Sequence, residues 1–200
     1  MQCHLERSSK WLSAWLHTER PLFFISALLA AVLTTALAPS ARADDVADRL
    51  AALEARAALI SIADGLDAAV DAKDWETARG YFADEVRIDF SSLDGGPPST
   101  ISSDELIGFW RANLFAEKTS FHLRGNHVID IDGDVAEMTS HGYAWNKLPG
   151  LEGGDFWEVW GVYEYAFARR GDEWKLTAFT FKATHQRGNA AVPGAPKPTE

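Results

Sequence analysis

An α+β fold is expected for this 200-residue chain, and three features of its sequence carry that expectation. Apolar residues recur at three- and four-residue spacing in the first half. The period falls to two after about residue 120 and stays there, and short Gly- and Asp-rich turns separate the long alternating runs. Strands of ten or more residues must coil strongly. The expected architecture is therefore a cone-shaped α+β barrel: a strongly curved, mostly antiparallel sheet packed on three N-terminal helices around a pocket.

The chain opens on a segment unlike the rest. Arg7, Lys10 and Arg20 precede an uncharged run from Pro21 to Ala38, and small residues at Ala41 and Ala43 are followed by DDVAD. A basic stretch, an apolar stretch and small residues before a cut are what a signal peptidase reads. Residues 1–43 are thus expected to be a signal peptide cleaved between Ala43 and Asp44, leaving a secreted or periplasmic protein with no stable membrane association. The alternative is an uncleaved anchor, since 18 such residues just span the ~30 Å of a bilayer's hydrocarbon.

Residues 44–185 form the expected folded domain. From Val46 to Val70, two apolar rows, Leu50, Leu53, Ala57, Ile60 and Leu59, Ile62, Leu66, Val70, share one broad helical stripe, with Gly65 a weak point in it. Asp74 can cap a second helix, WETARGYFA, that buries Trp75, Ala78 and Phe82. Val86 to Phe90 alternates as a strand, and SSLDGGPPST reads as a loop. Ser102 and Glu105 form a capping box that opens a third helix carrying Leu106, Phe109, Trp110 and Leu114. Long strands are then expected over Ser120–Ile131, Val135–Lys147, Phe156–Ala168 and Trp174–Thr184. Residues 186–200, QRGNAAVPGAPKPTE, lack any apolar period and read as a disordered tail.

Composition removes several function classes. The formal net charge is −10, which opposes phosphate binding, so no nucleic-acid partner is expected. The single cysteine, Cys3, lies in the leader. A mature chain would hold 15 basic and 27 acidic residues, four histidines, six tryptophans and no thiol, which excludes disulfides and cysteine nucleophiles.

Three motifs carry a family resemblance. LISIADGLDAAVDAKDWETARGYFADEVRIDF is similar to the opening of SnoaL-like domains of the nuclear-transport-factor-two-like superfamily, where a helix ends in an apolar residue and Asp before a Lys-Asp-Trp step. FHLRGNHVIDIDGDVAEMTS resembles that family's His, four-residue step, Asn and Gly-Asp turn, and GVYEYAFARRGDEWKLTAF its closing strands. The resemblance implies the cone fold with a deep apolar pocket. It points to the branch that includes scytalone dehydratase and a dehydrochlorinase, whose Asp-His pair falls here on Asp71 and His122.

An imidazole held by a carboxylate is a stronger base in a fixed tautomer, which is what proton abstraction beside a carbonyl or leaving group requires. Asp71 as orienter and His122 as base is the implied catalytic pair; helix capping and core packing are the plainer alternatives. Asn126, four residues along the strand, should share the face of His122, either contacting substrate or satisfying backbone. Strand parity points His127 away from His122, and no two-histidine, one-carboxylate spacing suggests a metal site. Trp110, Tyr163 and Tyr165 are further substrate-binding candidates, and Trp145, Trp157 and Trp160 also make an aromatic lining plausible. The basic residues that assist a leaving anion in the dehydrochlorinase fall on Leu66 and Phe179, which weighs against halide elimination. PGLEGG, from Pro149 to Gly154, is a candidate lid or a plain hairpin loop.

Two functional readings follow. One is a cofactor-free lyase or isomerase acting on a small apolar molecule. The other is a non-catalytic binding module with the same pocket, and a homo-oligomer built through the outer sheet face is compatible with either.

Overall fold

Leu59, Ala63, Leu66 and Val70 stand three and four residues apart and are all buried, so one narrow stripe of a helix forms one wall of the core. In the computed structural model, which describes residues 23–94 and 96–197, and side chains from residue 43 apart from that of residue 94, that helix is α1, Phe23–Ala72. Contacts divide the chain into two units, residues 1–50 and residues 51–200. The described part of the first unit is helical, with an exposed Asp45–Arg49 ion pair one turn apart at 4.0 Å. The leader expected over residues 1–43 falls almost wholly outside the described side chains. Leu50 and Leu53, expected in the buried stripe, are 53% and 64% exposed, so only the Leu59 row packs.

The second unit follows the expected order. Asp74 caps α2, Trp75–Gly80, accepting hydrogen bonds from the Thr77 N–H at 3.1 Å and the Thr77 hydroxyl at 2.7 Å. Strand β1 is Phe82–Asp89. The predicted loop folds locally into α3, Ser91–Asp94, and β2, Ser99–Ser102. The Ser102 hydroxyl accepts from the Glu105 N–H at 3.2 Å and opens α4, Ser103–Asn113. Four long strands complete the sheet: β3, Thr119–Asp132; β4, Val135–Lys147; β5, Phe156–Arg170; and β6, Glu173–Gly188.

The six strands lie in the order β2-β1-β6-β5-β4-β3, every neighbouring pair antiparallel except β1 with β6. Along β4 the even-numbered residues Ala136, Met138, Ser140, Ala144 and Asn146 face inward, and Ala144 pairs with both His122 on β3 and Val159 on β5. Gly142 lies on the same inward row. A side chain there would collide with the Tyr163 ring, so this glycine lets the ring lie across the sheet. Gly65, the weak point expected in α1, is where Tyr81 packs against the helix.

The pairing of β3 with β4 slips between Gly125 and Val128, and Asn126 adopts φ +57°. This bulge inserts one residue and inverts the parity of everything after it. Asn126 therefore lies on the outer face, where its side-chain amide is 3.1 Å from Nδ1 of His141. His127 turns toward α1, with Nε2 3.4 Å from Asp64. Both placements reverse the expectation from simple alternation.

Residues 186–197 of the expected tail are built into the fold. Strand β6 continues to Gly188, a short turn of helix, α5, spans Ala191–Gly194, and Val192 is fully buried. Asn189 fastens this strap to the β4–β5 loop by donating to the Glu152 and Gly154 carbonyls at 3.0 and 2.6 Å. At the other end, the fully buried Lys118 ammonium donates to the Ala195 and Pro193 carbonyls at 2.9 and 3.2 Å and to Asn113 Oδ1 at 3.2 Å. One apolar anchor and one buried cation thus supply what the Pro- and Gly-rich composition does not reveal.

Candidate active site

Asp71 lies in the last turn of α1, where the partial negative charge of the helix end opposes a carboxylate. Three donors from β3 offset that. Nδ1 of His122 is 2.7 Å from Oδ1, the His122 backbone N–H donates to Oδ2 at 2.7 Å, and the Ser120 hydroxyl donates to Oδ1 at 2.9 Å. Burial alone would raise the Asp71 carboxyl, but the hydrogen bonds and charge of His122 and the Ser120 hydroxyl outweigh it and hold the group below its ordinary range. An ionised Asp71 can only accept. Nδ1 of His122 must then carry a proton, and in the neutral ring Nε2 keeps its lone pair.

His122 lines a cavity of about 770 Å³ enclosed by α1, β1, α4, the inner sheet face and the C-terminal strap. Its walls are mainly apolar, including Leu66, Val70, Trp110, Trp157, Phe179 and Phe181. Asp67, Asn113, Asn146, Tyr163 and Gln186 add polar groups. A few convergent polar groups in a mostly apolar hollow of this size suit a small molecule.

An ion pair lies beside this hydrogen-bonded pair. Arg124 donates from Nε and Nη2 to the two oxygens of Asp67 at 2.9 and 2.6 Å, and its side chain is 1% exposed. The pairing is a matter of pitch: one helical turn from Asp67 to Asp71 advances about 6 Å, and two strand residues from His122 to Arg124 about 6.8 Å. Carboxylates four apart on α1 thus meet nitrogen donors two apart on β3. The Arg124 guanidinium stacks 3.7 Å from the Tyr163 ring centre and 4.6 Å from that of Tyr165. Burial pushes the Tyr163 hydroxyl well above the usual tyrosine range; Arg124 opposes this, and Asp67 and Asp71 add to it. Tyr163 therefore stays a neutral phenol in the cavity wall and can donate a hydrogen bond.

Of the residues expected from sequence, the structure brings together Asp71, His122, Trp110 and Tyr163. Tyr165 is buried beneath the cavity, packed edge-on to Phe179 at 4.8 Å, and does not line it. Asn126 lies on the outer face because of the bulge and does not line the cavity. Trp145 and Trp160 also face outward, stacked with Phe121 and Tyr143, whereas Trp157 lines the cavity. Leu66 and Phe179 do line it, where a halide-releasing site would want cations. The pair missed from sequence, Asp67 and Arg124, carried a usable signal: one helical turn before Asp71 and two strand positions after His122.

Comparison with known proteins agrees with this architecture. The Kfla4162 protein of Kribbella flavida superposes with a TM-score of 0.68 at 30% identity, over 72% of this chain and 99% of that one. A putative scytalone dehydratase from Novosphingobium aromaticivorans gives a TM-score of 0.60 at 14% identity, over 68% and 89% of the two chains. A type 2 hexachlorocyclohexane dehydrochlorinase gives 0.61 at 16% identity, over 74% and 98%. The last two likenesses show the fold alone. No curated protein matches the sequence. The SnoaL-like domain family matches residues 51–180, a stretch that holds β1 to β5, the first half of β6, and Asp67, Asp71 and His122. The chain belongs to the SnoaL-like domain family.

Proposed function

We propose that the protein is a cofactor-free lyase or isomerase acting on a small, largely apolar molecule with an acidic C–H beside a carbonyl or leaving group. The observation that carries this reading is the 2.7 Å contact between Asp71 and Nδ1 of His122 at the wall of an apolar cavity. Nε2 of His122 removes the proton, Asp71 stabilises the imidazolium that forms, and the Tyr163 hydroxyl donates to the oxygen that gains charge. The apolar Leu66 and Phe179 favour proton transfer or loss of water over release of a halide. The names of the dehydratase and dehydrochlorinase neighbours lend the reading support at the level of fold.

The test is deuterium incorporation from D2O into a panel of cyclic ketones and enones, with loss of water followed in hydroxylated members. His122→Ala should slow exchange on the order of 10²-fold or more while leaving binding within a few-fold. Compounds that bind but never exchange would make the protein a binding module instead. Export is part of the same proposal, and an intact mass beginning at Asp44 in the periplasm or medium tests it. A full-length, membrane-bound species would overturn that part.

A further inference from the structure

We propose that Lys73, acting through Ser120, is a positioning residue that keeps Asp71 ionised and aimed at His122. The inference deepens the reading above and takes the Asp71–His122 pair as the site.

Helix α1 ends in two backbone bonds, Asp74 N–H to the Ala69 carbonyl at 2.8 Å and Lys73 N–H to the Val70 carbonyl at 3.1 Å. This is a Schellman ending, whose left-handed residue is usually glycine. Here it is Lys73, at φ +62°. A side chain in that conformation is strained, and a strained residue at the edge of a site invites a functional explanation.

The side chain supplies one. Nζ of Lys73 donates to the Ser120 hydroxyl at 2.9 Å, and that hydroxyl donates to Oδ1 of Asp71 at 2.9 Å. Because an ammonium has no lone pair, the Ser120 oxygen must accept from Lys73, and its own proton is committed to Asp71. The last turn of α1 contains no basic residue, so Lys73, two residues beyond Asp71, is the cation that the helix ending itself brings to the carboxylate. A glycine would close the helix more comfortably but would leave the Ser120 proton free to turn elsewhere.

The charged and titratable groups around Asp71 are known by element. His122 faces it from β3, and Lys73 from the helix ending. Asp71 acts with Asp67 of α1 on Tyr163 of β5, against Arg124, and Lys73 acts on Lys118 at the approach to β3. Lys73 itself is half-buried, and burial pulls its ammonium down while Asp71 pushes it back up. The cation and the carboxylate are thus coupled across the serine.

The test uses the full chain labelled with ¹³C at the aspartate carboxyls, with thermal unfolding in parallel. Lys73→Gly should hold or raise Tm, by about 2–4 °C, because the strain is relieved. Its Asp71 titration midpoint should move up toward the ordinary carboxylate range. Ser120→Ala should move it the same way with the helix ending intact, and Lys73→Arg should leave it in place. An Asp71 midpoint unchanged in both Lys73→Gly and Ser120→Ala overturns the proposal, as does a Tm lowered in Lys73→Gly, which would make the lysine a structural prop. The titration needs no substrate. A protein without turnover whose Asp71 responds to Lys73 would lose the enzymatic reading and keep this one; exchange that depends on His122 with an indifferent Asp71 would do the reverse.

Discussion

Replacing Arg124 by Met should destabilise the fold by about 3–5 kcal/mol, because it leaves the Asp67 carboxylate buried without its cation. The structure sets that magnitude. The two side chains are 1% and 11% exposed, so solvent cannot take over the lost charge, and two hydrogen bonds of 2.6 and 2.9 Å disappear together. Contact with the Tyr163 ring at 3.7 Å is lost as well, although the methionine refills part of the space. Asp67→Leu should cost a similar amount by leaving the guanidinium alone. The double variant should recover most of the loss, since an apolar pair of like volume needs neither charge nor partner. The expected coupling is at least as large as either single loss, above about 3 kcal/mol, read from urea midpoints at constant m-value. Single variants that each cost under about 1 kcal/mol, or effects that add within about 0.5 kcal/mol, would refute the reasoning and mean that the pair is solvated as a surface ion pair is.

Three other outcomes follow from the same geometry. Asp71 titrates lower in the folded protein than in the unfolded chain, so its contribution to stability is complete above the ordinary pH 3.8 and is lost as pH falls through its folded value; the stability gap between wild type and Asp71→Asn, followed by urea unfolding against pH, should be constant at neutral pH and close below pH 3.8. Asn126→Gly should stabilise by roughly 0.5–1 kcal/mol by relieving φ +57° and should leave ligand binding untouched, since the residue lies on the outer face. Lys118→Ala should free the strap, visible as at least about tenfold faster amide exchange of Val192 and Ala195 with strands β4 and β5 still protected.

Much of the fold is written in local patterns, and its exceptions have physical causes. The change of period from 3.6 to 2, the Asp74 cap and the Ser102–Glu105 box locate α2, α4 and the four long strands to within a few residues, because those signals depend on neighbours in sequence. Leu50 and Leu53 share the periodicity of Leu59 and Leu66 but stand exposed among the described residues, and periodicity does not say how far a helix is covered. The bulge after Gly125 depends on a residue that tolerates a left-handed conformation; Gly-Asn is such a pair, yet a single such dipeptide inside a strand is a faint signal. The clasp of Lys118 joins residues more than seventy positions apart, and no local composition encodes that.

The site divides in the same way. Asp71 and His122 came from motif resemblance, and their contact is a matter of register between a helix end and a strand start. Asp67 and Arg124 could have been reached by combining the two periods on α1 and β3. Tyr165 could not be separated from Tyr163 by parity, since both face inward and only depth distinguishes them. What decides is the cone: Tyr163 is near enough to the open end to meet the cavity, and Tyr165 lies in the packed end.

The most direct test of the account is the tautomer of His122, read from ¹⁵N shifts of ring-labelled protein above neutral pH. A protonated Nδ1 with a bare Nε2, changing toward a protonated Nε2 in Asp71→Asn, is the predicted result. A protonated Nε2 in the wild type, or a ring indifferent to Asp71→Asn, would contradict the claim that Asp71 arms His122 as a base facing the cavity.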